Sequence, residues 1–90
     1  MIQLELSGGL EYEAGTNKTE FPSEGIHTIK DVFLLIQKTY PKLGAIFQDS
    51  TVIPGIIVLI NDADWELVGL SEAEVSDGDV VSLISSIHGG

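Results

Sequence analysis

Thr28-Ile29-Lys30-Asp31-Val32-Phe33-Leu34-Leu35-Ile36-Gln37-Lys38-Thr39-Tyr40 is the stretch that decides how this chain folds. Ile29, Val32, Phe33, Ile36 and Tyr40 recur at helical spacing and make one apolar stripe. Thr28 is a capping residue, and Asp31, three positions on, sits favourably near the positive end of the helix dipole. Lys38 and Lys42 lie near the negative end, and Pro41 stops the helix. No other segment reads as a strong helix. A lone helix must lay its stripe on one face of a sheet.

The flanking segments supply that sheet. Toward the N-terminus, residues 2–7 alternate apolar and polar, the mark of a half-buried strand. Gly8-Gly9 interrupts the alternation and Leu10-Glu11-Tyr12 resumes it. Gly15-Thr16-Asn17 is turn chemistry, and Thr19 to Phe21 reads as a returning strand before Pro22. Residues 1–21 are thus predicted to form a hairpin. Toward the C-terminus, Leu43 to Phe47 reads as a turn or a single helical turn. Ile56-Ile57-Val58-Leu59-Ile60 is a continuous β-branched run that suits a strand buried on both faces in mid-sheet. Asn61-Asp62-Ala63-Asp64 is a polar turn, with Trp65-Glu66-Leu67 as the short strand after it. Ser71 to Val75 allows one helical turn, Asp77-Gly78-Asp79 is tight, and Val80 to Ile87 is the last strand. Two hairpins around one helix, with the last strand returning to the middle, give an α+β architecture of the β-grasp (ubiquitin-like) kind. The expectation is a mixed sheet of about five strands with one main helix packed on one face. Residues 1–87 form that domain and 88–90 a flexible C-terminal tail ending in Gly-Gly.

Length and charge narrow the function. Ninety residues with 43% hydrophobic content make one small domain with one core. Fourteen acids against four lysines leave a net charge of −10, which repels phosphate backbones and anionic membranes alike. Neither direct nucleic-acid binding nor membrane association is expected. Cysteine is absent, which removes disulfides, thiolate nucleophiles and zinc knuckles. The N-terminal alternation is not a signal peptide. The longest apolar run, Val52 to Ile60, contains Pro54 and Gly55 and is far short of the roughly 20 residues that span a bilayer. The expected location is cytoplasmic, with the nucleus also open.

Conventional active-site material is scarce. His27, just before the helix cap, reads as a loop residue. His88 follows Ser85-Ser86, but strand neighbours alternate faces and no orienting acid is near in sequence. Asp62-Ala63-Asp64-Trp65-Glu66 opens like a calcium loop, yet Leu67 and Ala73 stand where the loop glycine and terminal glutamate belong, so a solvated turn is the better reading. What is left is Gly89-Gly90 at the end of the chain. Glycine has no Cβ, so such a tail can thread a narrow channel. Its carboxylate is a poor electrophile until a partner couples it to AMP. It can then accept sulfur as a thiocarboxylate, or a lysine amine as an isopeptide. Net acidity would steer the domain toward basic surfaces on such partners.

The residues Pro54-Gly55-Ile56-Ile57-Val58-Leu59-Ile60-Asn61-Asp62-Ala63-Asp64-Trp65-Glu66-Leu67, then Asp77-Gly78-Asp79 and His88-Gly89-Gly90, resemble the ubiquitin-related modifier family. Leu4-Glu5-Leu6-Ser7-Gly8-Gly9-Leu10-Glu11 is similar too. The resemblance implies a β-grasp sulfur carrier, activated at Gly90 as an acyl-adenylate and thiocarboxylate, with Gly89 as the flexible residue beside it. It implies sulfur donation for 2-thiolation of the wobble uridine in cytosolic tRNAs, and attachment to lysines of target proteins through an isopeptide bond. The protein would be a carrier rather than an enzyme. It would bind no cofactor or metal itself, ATP being used by the partner. The implied partners are an E1-like adenylating and sulfurtransferase enzyme, the tRNA thiolation enzyme complex and target lysines. A monomer is the simplest expectation. Alternatives are the small subunit of molybdopterin synthase, or a ubiquitin-like interaction module that is never conjugated.

Overall fold

The computed structural model describes residues 1–87; His88, Gly89 and Gly90, the expected tail, lie outside the described residues. Strand β1 (Ile2–Ser7) follows the alternation of its sequence, with Ile2, Leu4 and Leu6 buried. Gly8 and Gly9 then both take positive φ, 75° and 113°. That turns the chain off the strand and into a short helix α1 (Leu10–Ala14). The alternation at Leu10-Glu11-Tyr12 predicts a resumed strand; two successive left-handed glycines prevent it. The Glu11 carboxylate takes the Gly9 N–H at 2.6 Å, and Leu10 is fully buried. Strand β2 (Lys18–Phe21) returns antiparallel to β1, with Phe21 opposite Ile2.

Helix α2 (Ile29–Thr39) spans the predicted residues and buries Ile29, Val32, Phe33 and Ile36. The Asp31 carboxylate closes its N-terminus by accepting the backbone N–H groups of Thr28 at 3.0 Å and His27 at 2.9 Å. A 3-10 turn at Pro41–Ile46 follows, where the sequence predicted a turn. Strands β3 (Phe47–Gln48) and β4 (Thr51–Val52) form a small separate hairpin that the sequence pattern does not announce.

Strands β5 (Ile56–Ile60), β6 (Ala63–Asp64) and β7 (Val80–Ser85) complete the main sheet, in the order β2-β1-β7-β5-β6. β7 returns to the middle, parallel to β1 and antiparallel to β5. This is the expected mixed β-grasp sheet. The expectation that β5 is buried on both faces is corrected. Ile56, Val58 and Ile60 are buried, whereas Ile57 is 42% exposed. The helices lie on one face only, and nothing among the described residues covers Ile57 on the far side of β5.

Trp65–Leu67 is likewise a 3-10 turn and not a strand. Asn61 and Asp62 both adopt positive φ and make a two-residue hairpin turn. Only Ala63 and Asp64 then pair with Ile60 and Leu59. The Asp64 side chain accepts the Glu66 N–H at 2.9 Å and starts the turn, which swings Trp65 into the core with its ring 5.4 Å from that of Phe33. A third 3-10 turn covers Leu70–Glu72. Phe33 also meets Phe47 at 4.9 Å, so one aromatic side chain of α2 joins three parts of a single core.

Candidate functional site

The structure fixes the end of β7 from both sides. β7 lies between β1 and β5, so its exit is bordered by the turn after β1 and the turn before β5. On the β1 side stands Gly8. A Cβ there would lie 2.1 Å from the Ser85 carbonyl oxygen, so only a glycine lets the two backbones meet. On the β5 side stands Gly55, with φ of 96°, where a Cβ would lie 2.6 Å from Cγ2 of Ile87. The Gly55 carbonyl accepts two hydrogen bonds from Ser86, one from its N–H at 2.8 Å and one from its hydroxyl at 2.9 Å. The Ser85 hydroxyl accepts the Ile87 N–H at 3.3 Å. Residues 85–87 are therefore held at the end of the central strand, where the chain bends at Ser86 and Ile87, with Ile87 56% exposed.

Beside this exit the uncovered face of the sheet carries apolar side chains. Ile84 pairs with Ile57 across β7 and β5, and Leu59 stands opposite Ser82. A shallow concavity of about 320 Å³ opens on that face, lined in part by Glu5, Ser7, Lys18, Leu59, Ser82 and Ile84. The Lys18 ammonium lies 3.7 Å from the Glu5 carboxylate at its rim. An exposed apolar strip of this kind beside the exit of β7 is a candidate docking surface.

The titrating groups with displaced values all lie elsewhere. Asp31 is held below the ordinary carboxylate range by the N–H groups of His27 and Thr28. Asp77 is lowered by its hydrogen bonds to the N-terminal ammonium and the Ser23 hydroxyl. Lys30 is raised by its contact with Glu72 at 2.9 Å. These are structural contacts, and none adjoins residues 85–87.

Gly89 and Gly90, the predicted reactive positions, lie outside the described residues, as does His88. His27 is an exposed loop residue whose backbone N–H caps α2. Asp62 and Asp64 serve the hairpin turn and the 3-10 cap, and no cluster of three metal-ligating side chains occurs among the described residues. Gly8, Gly55 and Ser86, which hold the exit of β7, are the positions that sequence reasoning did not single out. Their signal was present: Pro54-Gly55 and Gly8-Gly9 each border a strand that flanks the last one.

Comparison with known proteins bears directly on this arrangement. The family model described as Urm1 (Ubiquitin related modifier) matches residues 1–90. The ubiquitin-related modifier 1 homolog of Dictyostelium discoideum is 40% identical, over 99% of this chain and 98% of its own. The solution structure of Urm1 from Trypanosoma brucei superposes with a TM-score of 0.79 at 28% identity, covering 99% of this chain and 94% of that one. A chain of the Amycolatopsis orientalis BexX/CysO complex superposes with a TM-score of 0.83 at 22% identity and full coverage of both, a likeness of fold.

Proposed function

The chain belongs to the Urm1, or ubiquitin-related modifier, family, and from that premise we propose that it carries sulfur and is itself carried onto other proteins through the carboxyl group of Gly90. It is a ubiquitin-like modifier with a sulfur-carrier fold, a protein acted upon rather than an enzyme. An E1-like partner adenylates Gly90 with ATP. AMP is a good leaving group: sulfide-level sulfur (HS⁻) supplied by the partner attacks the carbonyl carbon, the C–O bond to AMP breaks, and the thiocarboxylate and AMP are the products. That sulfur goes to 2-thiolation of the wobble uridine in cytosolic tRNAs through the thiolation enzyme complex. Attack by a lysine amine on the activated carbonyl instead gives the isopeptide. Gly89, lacking a side chain, gives the partner's channel clearance beside the reacting carbon. The domain works in the cytoplasm, and ATP is the partner's cofactor.

The observation that carries this reading is the grip on the end of β7. Gly8 and Gly55 pin Ser85 to Ile87 from opposite sides. A partner that docks on Ile57 and Ile84 then meets Ser85 to Ile87 in a fixed position, which lowers the entropy cost of engaging the residues that follow. The CysO neighbour is named in complex with BexX, and that pairing supports a working partner for this fold. Incubation with the cognate adenylating enzyme, ATP and a sulfur donor should raise the mass by the difference between sulfur and oxygen, localised to Gly90. An unchanged mass with an active partner would refute the proposal.

A further inference from the structure

We infer that the chain carries a second docking surface, formed by Leu34 of α2 with Leu67, Val68 and Leu70 of the segment after β6, and that its occupant is a basic amphipathic segment of another protein. Leu67 is 82% exposed and Leu34 64%, while Val68 and Leu70 are each 47% exposed. Large aliphatic side chains this open are ordinary when single and informative when grouped.

Two contacts group them. Trp65 packs its ring on Phe33, the residue next to Leu34. Lys30, one helical turn before Leu34, reaches Glu72 at 2.9 Å. The segment from 65 to 72 is thereby tied to α2 at Phe33 in the core and at Lys30, and Lys30 lies on the face that carries Leu34. The Ile29 N–H bonded to the Ala73 carbonyl at 2.9 Å holds the same seam. Leu70 has a φ of 55°, a left-handed conformation that is strained for any residue with a side chain, directly after Gly69 at 122°. Strain that presents an apolar side chain to water is uncommon without a use.

The charges select the occupant. Exposed Asp62, Asp64, Glu66, Glu72 and Glu74 lie on or beside the segment that carries Leu67, Val68 and Leu70; of the two lysines on the Leu34 face, Lys30 is matched to Glu72 and Lys38, exposed one turn after Leu34, is outnumbered by these acids. A nucleic acid or an anionic membrane would meet repulsion. A second copy would set the same acids against themselves, as a two-fold interface must. A helix with leucines on one face and lysines or arginines at its edges satisfies both the apolar centre and the acidic rim.

The surface is independent of the chain end. In the β5–β7 register Ile56 lies beside Ser85, whereas Ile60, which leads into the 61–72 segment, lies beside Val81 at the other end of the strand. Both can be occupied together. The test is a titration of isotope-labelled full-length protein with a synthetic leucine-lysine amphipathic helix, followed by amide shifts. Shifts confined to residues 33–37 and 64–73 are expected, with no change on deleting Gly89-Gly90. Leu67→Ser should weaken binding about tenfold, and Glu66→Gln should flatten its salt dependence. Neither variant should slow sulfur loading by the activating enzyme, which separates this surface from the proposed function. Shifts centred on Ile57 and Ile84, shifts spread over all acidic surface, an unchanged affinity for Leu67→Ser, or a dimer of the free protein that Leu67→Ser dissociates would each overturn the inference.

Discussion

At the scale of single residues, the glycines separate into those that need conformation and those that also need space. Gly15 has φ of 79° with nothing within 4 Å of a hypothetical Cβ. Gly8 has nearly the same φ, but its Cβ would meet the Ser85 backbone. Backbone held in the central strand cannot yield as a side-chain tip can. Gly15→Ala is therefore expected to cost about 1 kcal/mol, the left-handed penalty alone, and Gly8→Ala more than about 2 kcal/mol, measured by urea unfolding. Equal losses would show that β7 does not press on Gly8. Asp31 offers a pH test. Its carboxylate is stabilised in the folded state, so its folded pKa lies below the ordinary value of 3.8. Above 3.8 it is ionised whether folded or not, and its contribution is fully present. As the pH falls below 3.8 and through the depressed folded value, that contribution is lost. Asp31→Ala should cost about 1 kcal/mol at neutral pH, and the gap between wild type and variant should close in strong acid. A gap that persists there would mean that packing, not the charge, is the source.

At the scale of elements, α2 was legible because capping, periodicity and the Pro41 stop all agreed, and each acts within a few residues. β1, β5 and β7 were legible for the same reason, including the return of the last strand to the middle. The errors came where one local signal was overruled at a distance. Leu10-Glu11-Tyr12 alternates like a strand, yet Gly8 and Gly9 bend the chain before it. Trp65 follows a turn like a strand residue, yet Phe33 offers it a core position. The grip on Ser85 to Ile87 was hidden because it depends on how closely Gly8 and Gly55 approach the end of β7, and no spacing along the chain states that. Gly55 is the element-scale test of the grip. Its missing Cβ faces the side chain of Ile87, which can move, so Gly55→Ala should lower the single-turnover rate of sulfur loading more than it lowers stability. Ile87→Ala removes the obstructing Cγ2. The two substitutions together should then be less harmful than their sum, by about 0.5 kcal/mol or more in the apparent coupling. Strict additivity would show that Gly55 matters only for its own φ.

At the scale of the whole molecule, the deciding quantity is the charge of −10 on a body of 33 × 25 × 23 Å. The Debye length is about 30 Å at 0.01 M salt, so at that concentration each carboxylate senses nearly all the others. At 0.15 M it is about 8 Å, and only near neighbours interact. The lysine–glutamate ion pairs among the described residues, Lys18 with Glu5 and Lys30 with Glu72, are surface pairs that offset little of the repulsion. Added salt should therefore raise the melting temperature, by several degrees if the relief is on the order of 1 kcal/mol. The same salt should slow capture by a basic activating enzyme, because the field that destabilises the fold is the one that steers encounter. Thermal melts and association rates across one salt series should thus move in opposite directions. A melting temperature that falls with salt would mean that the few lysines outweigh the acids in the folded state, and the acidic surface would then need an explanation other than steering.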